Sequence, residues 1–211
     1  MRLDEIGELG LLPELERRGL ATGIEHDAAE IGGLVVTQDA LVEGVHFRLD
    51  LLTWRDLGFR AAAVNLSDLA ASGAEPLGLI VSLALPGHVT VEQVVELYEG
   101  LAEAGVPVRG GDTTRADSVL LSVTALGRAA RVPGRAGAKP GDAIVVTGPL
   151  GASGAAFRAG RLARPPLRLE EGRGLAAVAT AMLDISDGLA PGASGTSSSS
   201  IATRHPERRA M

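Results

Sequence analysis

Residues 61–71 read AAAVNLSDLAA, a run of small and apolar side chains that Asp68 interrupts. Apolar positions recur at helical spacing from Thr53 to Ala71, and Thr53 and Gly73 are residue types that commonly begin and end helices. The stretch therefore predicts a helix. Aspartate is rarely buried unless it is paired or bound to a metal, so Asp68 indicates a candidate site. The alternative is that Asp68 faces solvent or caps a neighbouring loop.

Strand and helix patterns alternate on both sides of this helix, which predicts an α/β (α+β) fold. Short β-branched runs with alternating apolar side chains indicate strands, and apolar residues at helical spacing indicate helices. The polar pair Gln38 and Asp39 follows the first predicted strand, so Asp39 is expected near its C-terminal end. The predicted strands are 34–37, 77–85, 118–126 and 142–147, and the further predicted helices are 91–104, between Thr90 and Gly105, and about 170–182.

A domain boundary is predicted where glycine, proline and arginine accumulate, between residues 128 and 141. Residues 1–130 then form an N-terminal domain, and residues 131–189 form the start of a C-terminal domain. After Leu189 the composition changes abruptly to serine, glycine and arginine with little to bury. The tail at 190–211 is therefore expected to be disordered.

Composition excludes several classes of protein. The formal charge of −6 gives no electrostatic footprint for a nucleic-acid partner, and the absence of cysteine excludes thiolate metal sites and cysteine nucleophiles. No apolar run reaches the roughly 20 residues of a membrane span, and the N-terminus does not resemble a signal peptide. We expect a soluble, cytoplasmic protein. The single lysine, Lys139, lies outside any P-loop pattern, so a nucleotide site must be built differently.

Five segments place an aspartate beside glycine, alanine, threonine or serine. Mg²⁺ prefers six hard oxygen ligands, usually one or two carboxylates together with waters and substrate phosphates, so converging aspartates could hold more than one ion. Taken singly, the segments have simpler explanations: a surface acid at Asp27, or tight turns at Gly110-Gly111-Asp112 and at Asp187-Gly188. The segments are Asp27-Ala28-Ala29, Thr37-Gln38-Asp39, Asn65-Leu66-Ser67-Asp68, Gly110-Gly111-Asp112-Thr113-Thr114 and Asp184-Ile185-Ser186-Asp187-Gly188.

Other candidate residues are weaker when considered alone. His46 could be a structural hydrogen-bonding residue, and Tyr98, the only tyrosine, could be partly buried on its predicted helix. The glycine-rich segment 148–154 lacks the G-x-G-x-x-G spacing of a dinucleotide-binding turn. A Rossmann site is therefore rejected.

Taken in order, these segments resemble the thiamine-monophosphate kinases, which share a superfamily with aminoimidazole ribonucleotide synthetase and selenophosphate synthetase. The resemblance covers residues 1 to about 189. The segment from Thr37 to Phe47 and the segment from Asp184 to Leu189 are specific to the kinases. The remaining matches are Asp27-Ala28-Ala29, 63–71, 110–114 and 135–142.

The resemblance implies transfer of the ATP γ-phosphoryl group to thiamine monophosphate, giving thiamine diphosphate. It implies a two-domain synthetase-like fold with a mixed-sheet N-terminal domain, an incomplete C-terminal α+β domain, and a homodimer formed through the N-terminal sheets. The active site would lie between the two domains. The implied metal positions, for several Mg²⁺ ions, are Asp27, Thr37, Gln38, Asp39, Asp68, Asp112, Asp184 and Asp187; Tyr98, Gly111, Asp112, Arg135 and Ser186 would contact ATP, and His46 the thiamine phosphate.

The sequence departs from the family pattern at three places. Glu25-His26-Asp27 replaces the usual Gly-Asp-Asp, Gln38 replaces a serine or threonine, and the similarity stops after Leu189. Both substitutions are expected to weaken metal binding without abolishing it. The ending suggests a truncated gene or a shifted reading frame, which the other two frames of the coding DNA would test.

Two alternative functions stay open at this point. One is another ATP-dependent synthetase of the superfamily, although the missing cysteine disfavours selenophosphate synthetase. The other is a Mg-ATP-binding dimerisation module without turnover.

Overall fold

The computed structural model describes residues 2–23, 26–186 and 202–204. The N-terminal part begins with a helix that is kinked at Gly7, where φ is 58°. Its elements are α1 (Leu3–Arg17), β1 (Ala29–Ile31), β2 (Leu34–Val42), α2 (Trp54–Ala71), β3 (Glu75–Leu85), α3 (Val91–Ala102), β4 (Val108–Arg115) and β5 (Leu120–Arg128). The following part contains β6 (Ala143–Val145), α4 (Ala152–Arg158), α5 (Leu169–Ala176) and β7 (Ala202–Arg204).

The five N-terminal strands form one mixed sheet in the order β1-β2-β5-β3-β4. β3 and β4 are parallel and joined through α3, whereas β5 is antiparallel to both of its neighbours, β2 and β3. Consequently β2 and β3 run in the same direction, and α2 connects them. This arrangement confirms the predicted α/β (α+β) fold with a mixed N-terminal sheet.

Helices α2 and α3 cover one face of the sheet, which we call the covered face. Their N-termini carry capping boxes, in which Thr53 pairs with Asp56 and Thr90 with Gln93, as the sequence leads one to expect. Fully buried leucines and valines from both layers interlock between them, and burial of this apolar area is the main stabilising term. The core includes Leu57, Leu66 and Leu69 of α2, Leu97 and Leu101 of α3, Leu79, Val81 and Leu83 of β3, and Leu121 and Val123 of β5.

The two helices touch backbone to backbone through one glycine on each. A Cβ added at Gly58 would lie 1.9 Å from the Leu97 carbonyl oxygen, and one added at Gly100 would lie 1.9 Å from the Arg55 carbonyl oxygen. Both distances are far below van der Waals contact. The close approach of α2 and α3 therefore depends on the missing side chains at these two positions.

The opposite face of the sheet, which we call the open face, is exposed or half-buried. Alternation along the strands places Val36, Leu120 and Leu126 on it, and Ile80 is 41% exposed. A sheet with two apolar faces usually buries both, so the open face is a surface on which another element or chain could pack.

Several element boundaries differ from the sequence prediction. β2 extends to Val42, so Asp39 lies in the middle of a strand and not at its end. Gly110, Gly111 and Asp112 belong to β4, and the alternative of a tight turn is wrong. The helix predicted over 170–182 ends at Ala176. These differences arise because pairing between distant strands extends or creates elements that local patterns do not reveal.

The C-terminal part shows a segment without helix or strand from residue 129 to residue 142, where the domain boundary is predicted. Within the tail that was expected to be disordered, Ala202–Arg204 forms β7 and pairs with β6. The other tail residues, and Asp187, lie outside the described residues. Among the described helices, none is long and apolar enough to cross a membrane.

Replacing Gly58 by alanine is expected to lower the free energy of unfolding by about 1–3 kcal/mol, because the added methyl group forces α2 and α3 apart. Gly100→Ala should behave similarly. Urea unfolding followed by circular dichroism measures the change. Gly174→Ala is the matched control, since a Cβ at this helical glycine meets nothing within 4 Å. A stability of Gly58→Ala equal to that of the wild type would contradict the packing described here.

Candidate metal and phosphate site

Three carboxylates from distant parts of the sequence converge where α2 meets the sheet. Asp27 precedes β1, Asp68 lies in the last turns of α2, and Asp184 lies in the extended segment after α5. One ligand oxygen from each lies within 4.8 Å of those of the other two. We call these residues the carboxylate cluster. Asp68 is thus half-buried beside two other carboxylates and does not face solvent, which supports its assignment to a site.

Hydroxyl groups on neighbouring elements orient two members of the cluster. The Thr37 hydroxyl of β2 donates to Asp68 Oδ2 at 2.6 Å, and the Ser67 hydroxyl donates to Asp184 Oδ2 at 3.0 Å. The backbone N–H of Asp184 donates to the Asp27 carboxylate. Each carboxylate is therefore fixed by a hydrogen bond that leaves further oxygen lone pairs for a ligand.

A buried asparagine joins the helix and the strand that carry the site. Asn65 Oδ1 accepts the Asp39 backbone N–H at 3.0 Å, and its Nδ2 donates to the Ala61 carbonyl at 2.9 Å. Asn65 is only 1% exposed. No separate role was predicted for Asn65 or Ser67 from the sequence. A polar residue inside an apolar helical stretch was the signal that could have identified both.

Burial and mutual repulsion make the cluster hold protons when no cation is bound. Desolvation, followed by the charge of Asp184, raises the pKa of Asp68 to about 9, and the Thr37 hydrogen bond only partly offsets this. Desolvation, followed by the charge of Asp27, raises the pKa of Asp184 to about 6. The negative charge of Asp39 further raises the pKa of both Asp68 and Asp184. A divalent cation would relieve this repulsion.

The chemistry of the donors fits Mg²⁺. All three members of the cluster offer hard carboxylate oxygens, and Asp184 Oδ1 is buried without a hydrogen-bond partner among the described residues. A buried carboxylate oxygen without a partner is costly unless a cation or water satisfies it. The cluster can therefore hold a divalent cation, with Asp39 at its exposed side.

Arg135 is the cation closest to the cluster in the described part of the chain. Its Nε donates to Asp27 Oδ1 at 3.1 Å, and its Nη2 forms a second, shorter hydrogen bond to the same oxygen. Burial raises the pKa of Asp27, whereas the Arg135 guanidinium opposes that rise. Arg135 was predicted from the resemblance to contact ATP, and the structure places it beside the cluster.

Asp112 lies on the other side of the sheet. Asp39 pairs with Val123, Val123 with Val81, and Val81 with Gly111, so Asp39 and these residues share the covered face. Asp112 is the next residue along β4 and therefore faces the open face. Three strand spacings also separate β2 from β4, about 14 Å. A single chain does not bring Asp112 to the carboxylate cluster.

Gly111 and Tyr98 are also remote from the cluster. A Cβ at Gly111 would lie 1.8 Å from the Val81 carbonyl oxygen, so this strand position requires glycine. Tyr98 is half-buried on α3, one residue after the Leu97 carbonyl that faces Gly58. Gly58 precedes Asp68 by ten residues, about 15 Å along α2. Of the predicted ATP contacts, Arg135 thus lies beside the cluster, whereas Gly111, Asp112 and Tyr98 lie away from it.

The remaining predicted residues lie at the margins of the site. Gln38 Nε2 donates to Ser122 Oγ at 2.8 Å on the open face, so this side chain does not join the cluster. His46 Nδ1 accepts the Val42 backbone N–H at 3.1 Å just beyond β2. Ser186 follows Asp184 by two residues and is exposed.

The chain is similar to known proteins in sequence and in fold. The family described as "AIR synthase related protein, N-terminal domain" matches residues 25–129. The thiamine-monophosphate kinase of Synechococcus elongatus is 42% identical over 162 residues, which cover 72% of this chain and 50% of the relative. That of Rhodopirellula baltica is 39% identical and is covered to 58%. The chain thus spans little more than half the length of these two curated relatives.

Longer matches are found with the proteins of Aquifex. The thiamine-monophosphate kinase of Aquifex aeolicus is 32% identical over 213 residues, which cover 90% of this chain and 69% of the relative. The solved structure of AaThiL complexed with AMPPCP and TMP has a TM-score of 0.85 at 32% identity, covering 93% of this chain and 71% of that one. A further structure of the Aquifex aeolicus enzyme has a TM-score of 0.80 at 34% identity. The sequence and the fold together show that the chain belongs to the thiamine-monophosphate kinase family.

Proposed function

We propose that the protein transfers the γ-phosphoryl group of ATP to thiamine monophosphate, giving thiamine diphosphate and ADP. The observation that carries the proposal is the convergence of Asp27, Asp68 and Asp184 in a member of this family. The related AaThiL was solved with AMPPCP and TMP together, which supports the same pair of substrates here. Two phosphate-bearing reactants repel each other, so a site that gathers cations is what this reaction requires.

In this proposal the chain's own residues position the charges. Bound Mg²⁺ would neutralise phosphate oxygens and align the reacting groups. Asp27, Asp68 and Asp184 would hold the metal, with Asp39 and Thr37 beside them. Thr37 and Ser67 fix the carboxylate orientations, and the Asn65 bridge keeps β2 in register with α2. His46 would contact the thiamine phosphate, Ser186 would contact ATP, and Asp187 would hold a further metal ion.

We propose further that the protein acts as a homodimer packed through the open face. The apolar side chains on that face, among them Ile80, would be buried by a second sheet. Asp112 lies on the same face, remote from the cluster of its own chain. In the dimer, Asp112 would serve the nucleotide site of the partner subunit, which would account for its distance from the cluster of its own chain.

Substitution of Asp68 by asparagine should lower the rate of thiamine diphosphate formation by at least about 100-fold, because it removes a metal ligand at the centre of the cluster. The measurement is product formation from ATP and thiamine monophosphate at several Mg²⁺ concentrations. Asp117→Asn is the control, since Asp117 is exposed in the loop before β5. Nucleotide binding by the wild type without any product would instead select the binding-module alternative.

The metal-free protein should lose stability as pH rises. Asp68 titrates near 9 when folded, against about 3.9 when unfolded, so the folded state binds more protons between these values. The free energy of unfolding therefore falls as pH rises through this window. Between pH 6 and 8.5 we expect the Tm to fall by about 3 °C or more, the shift that about 1 kcal/mol produces in a chain of this size.

Asp68→Asn should flatten this pH profile, and Mg²⁺ should restore the stability of the wild type at high pH. Thermal unfolding in EDTA and in Mg²⁺ measures both effects. Asp117→Asn serves again as the control. A wild-type Tm that rises with pH in EDTA would refute the description of a proton-holding cluster.

A subunit-mixing experiment tests the shared site. Asp39→Asn and Asp112→Asn are each expected to be nearly inactive, because each removes one part of both sites in a symmetric dimer. Unfolding and refolding the two variants together should recover about a quarter of the wild-type activity, since half of the random dimers contain one intact site. A mixture of Asp39→Asn with Asp68→Asn is the control and should recover nothing. No recovery in the first mixture, with dimers present, would place Asp112 in the site of its own chain.

A further inference from the structure

We propose that Arg135 is the resident counter-ion of the metal-free carboxylate cluster, and that it leaves Asp27 for the nucleotide phosphates when a divalent cation binds. The inference rests on the proposed function, because it assumes that the cluster binds a metal and a nucleotide. It adds an exchange of partners that links occupancy of the metal site to recognition of the nucleotide.

The first step is that Arg135 occupies a ligand oxygen. Both of its donating nitrogens bind the same atom, Asp27 Oδ1, and the Asp27 side chain is only 5% exposed. A metal bound to the cluster would lie within a few ångströms of the guanidinium. Two cations at that separation in a half-buried site repel each other strongly. Metal and guanidinium therefore compete for Asp27.

The second step is that the side chain can move while its backbone stays in place. The Gly134 carbonyl accepts the Met182 backbone N–H at 2.8 Å, which fixes the residue before Arg135 to the segment that leads to Asp184. A Cβ at Gly137 would lie 1.8 Å from the Thr180 carbonyl oxygen, so the backbone after Arg135 is also packed against this segment. The Arg135 side chain itself is 30% exposed. A rotamer change is therefore sufficient to turn the guanidinium from Asp27 toward solvent and a bound phosphate.

The third step is the charge balance. Arg135 is the cation that interacts with Asp27 and Asp184, and Asp39 and Asp68 lie beside them, so carboxyl groups outnumber cations in the metal-free cluster. A divalent cation supplies the charge that Arg135 otherwise provides. The released guanidinium is then free to make paired hydrogen bonds to a phosphate, the group that arginine recognises best.

A purely structural ion pair would behave differently. Asp27 and Arg135 lie on opposite sides of the predicted domain boundary, so their contact could serve only to hold the two parts together. Loss of such a contact would disorder the cluster and weaken metal binding. The exchange predicts the opposite effect, tighter metal binding, because loss of Arg135 removes a competitor for Asp27.

The test is calorimetric titration of the full chain and of its Arg135→Ala and Arg135→Gln variants. Each is titrated with MgCl₂ alone and then with AMPPCP in excess MgCl₂. In both variants we expect at least about fivefold tighter Mg²⁺ binding without nucleotide, and at least about tenfold weaker AMPPCP binding with Mg²⁺. Thermal unfolding verifies that each variant is folded, and Arg128→Gln, at the exposed end of β5, is the matched control.

The outcomes separate the two proposals. Tight Mg²⁺ binding by the wild type, with equal or weaker binding by folded Arg135→Gln, would overturn the exchange and leave the proposed metal site intact. Absence of Mg²⁺ and AMPPCP binding by the wild type would overturn the proposed function and the exchange together. Tighter metal binding with unchanged AMPPCP binding would refute the transfer of Arg135 to the phosphates.

Discussion

The structure depends on holding mutually repelling carboxylates together at the junction of α2 and the sheet. Bringing Asp27, Asp68 and Asp184 within 4.8 Å of one another in a partly desolvated place is unfavourable without protons or cations. The fold must oppose that repulsion from several directions. It does so with the Thr37, Ser67 and Asn65 hydrogen bonds and with the buried leucines of α2, which prevent the helix from moving away from β2.

The same framework explains why the site is assembled from distant segments. Asp68 and Thr37 face each other because α2 crosses back over the sheet after β2. Asp184 reaches them only because the segment after α5 returns to the end of α2. The Thr37 and Ser67 hydrogen bonds orient Asp68 and Asp184 before any ligand binds, so these two carboxylates need little reorganisation at the moment of binding.

The sequence predicted part of this site and could not predict the rest. Asp68 could be identified because an aspartate inside an apolar helix needs a local explanation. The position of Asp39 within its strand could not be predicted, because β2 is extended by pairing with β5. The two strands are far apart in the sequence: Gln38 of β2 contacts Ser122 of β5, more than 80 residues away. The same holds for Asp112, whose face of the sheet is set by the register with β3. Register shifts of one residue reverse the direction of a side chain, and local patterns in a glycine-rich strand do not specify them.

The opposite orientations of Asp39 and Asp112 constrain how any nucleotide site can be completed. Turning Asp112 to the face that carries Asp39 would require β4 to slip by one residue, which would drive the Asp112 side chain into the core and the closely packed Gly111 out of contact with Val81. Even then, three strand spacings, about 14 Å, would separate the two strands. A 1.8 Å approach excludes any side chain at that strand position, so the register is fixed by sterics. In the proposed dimer, Asp112 would instead meet the partner's site as the open faces of the two copies pack together. The proposed dimer would give the half-buried apolar side chains of the open face a function that a single chain does not provide.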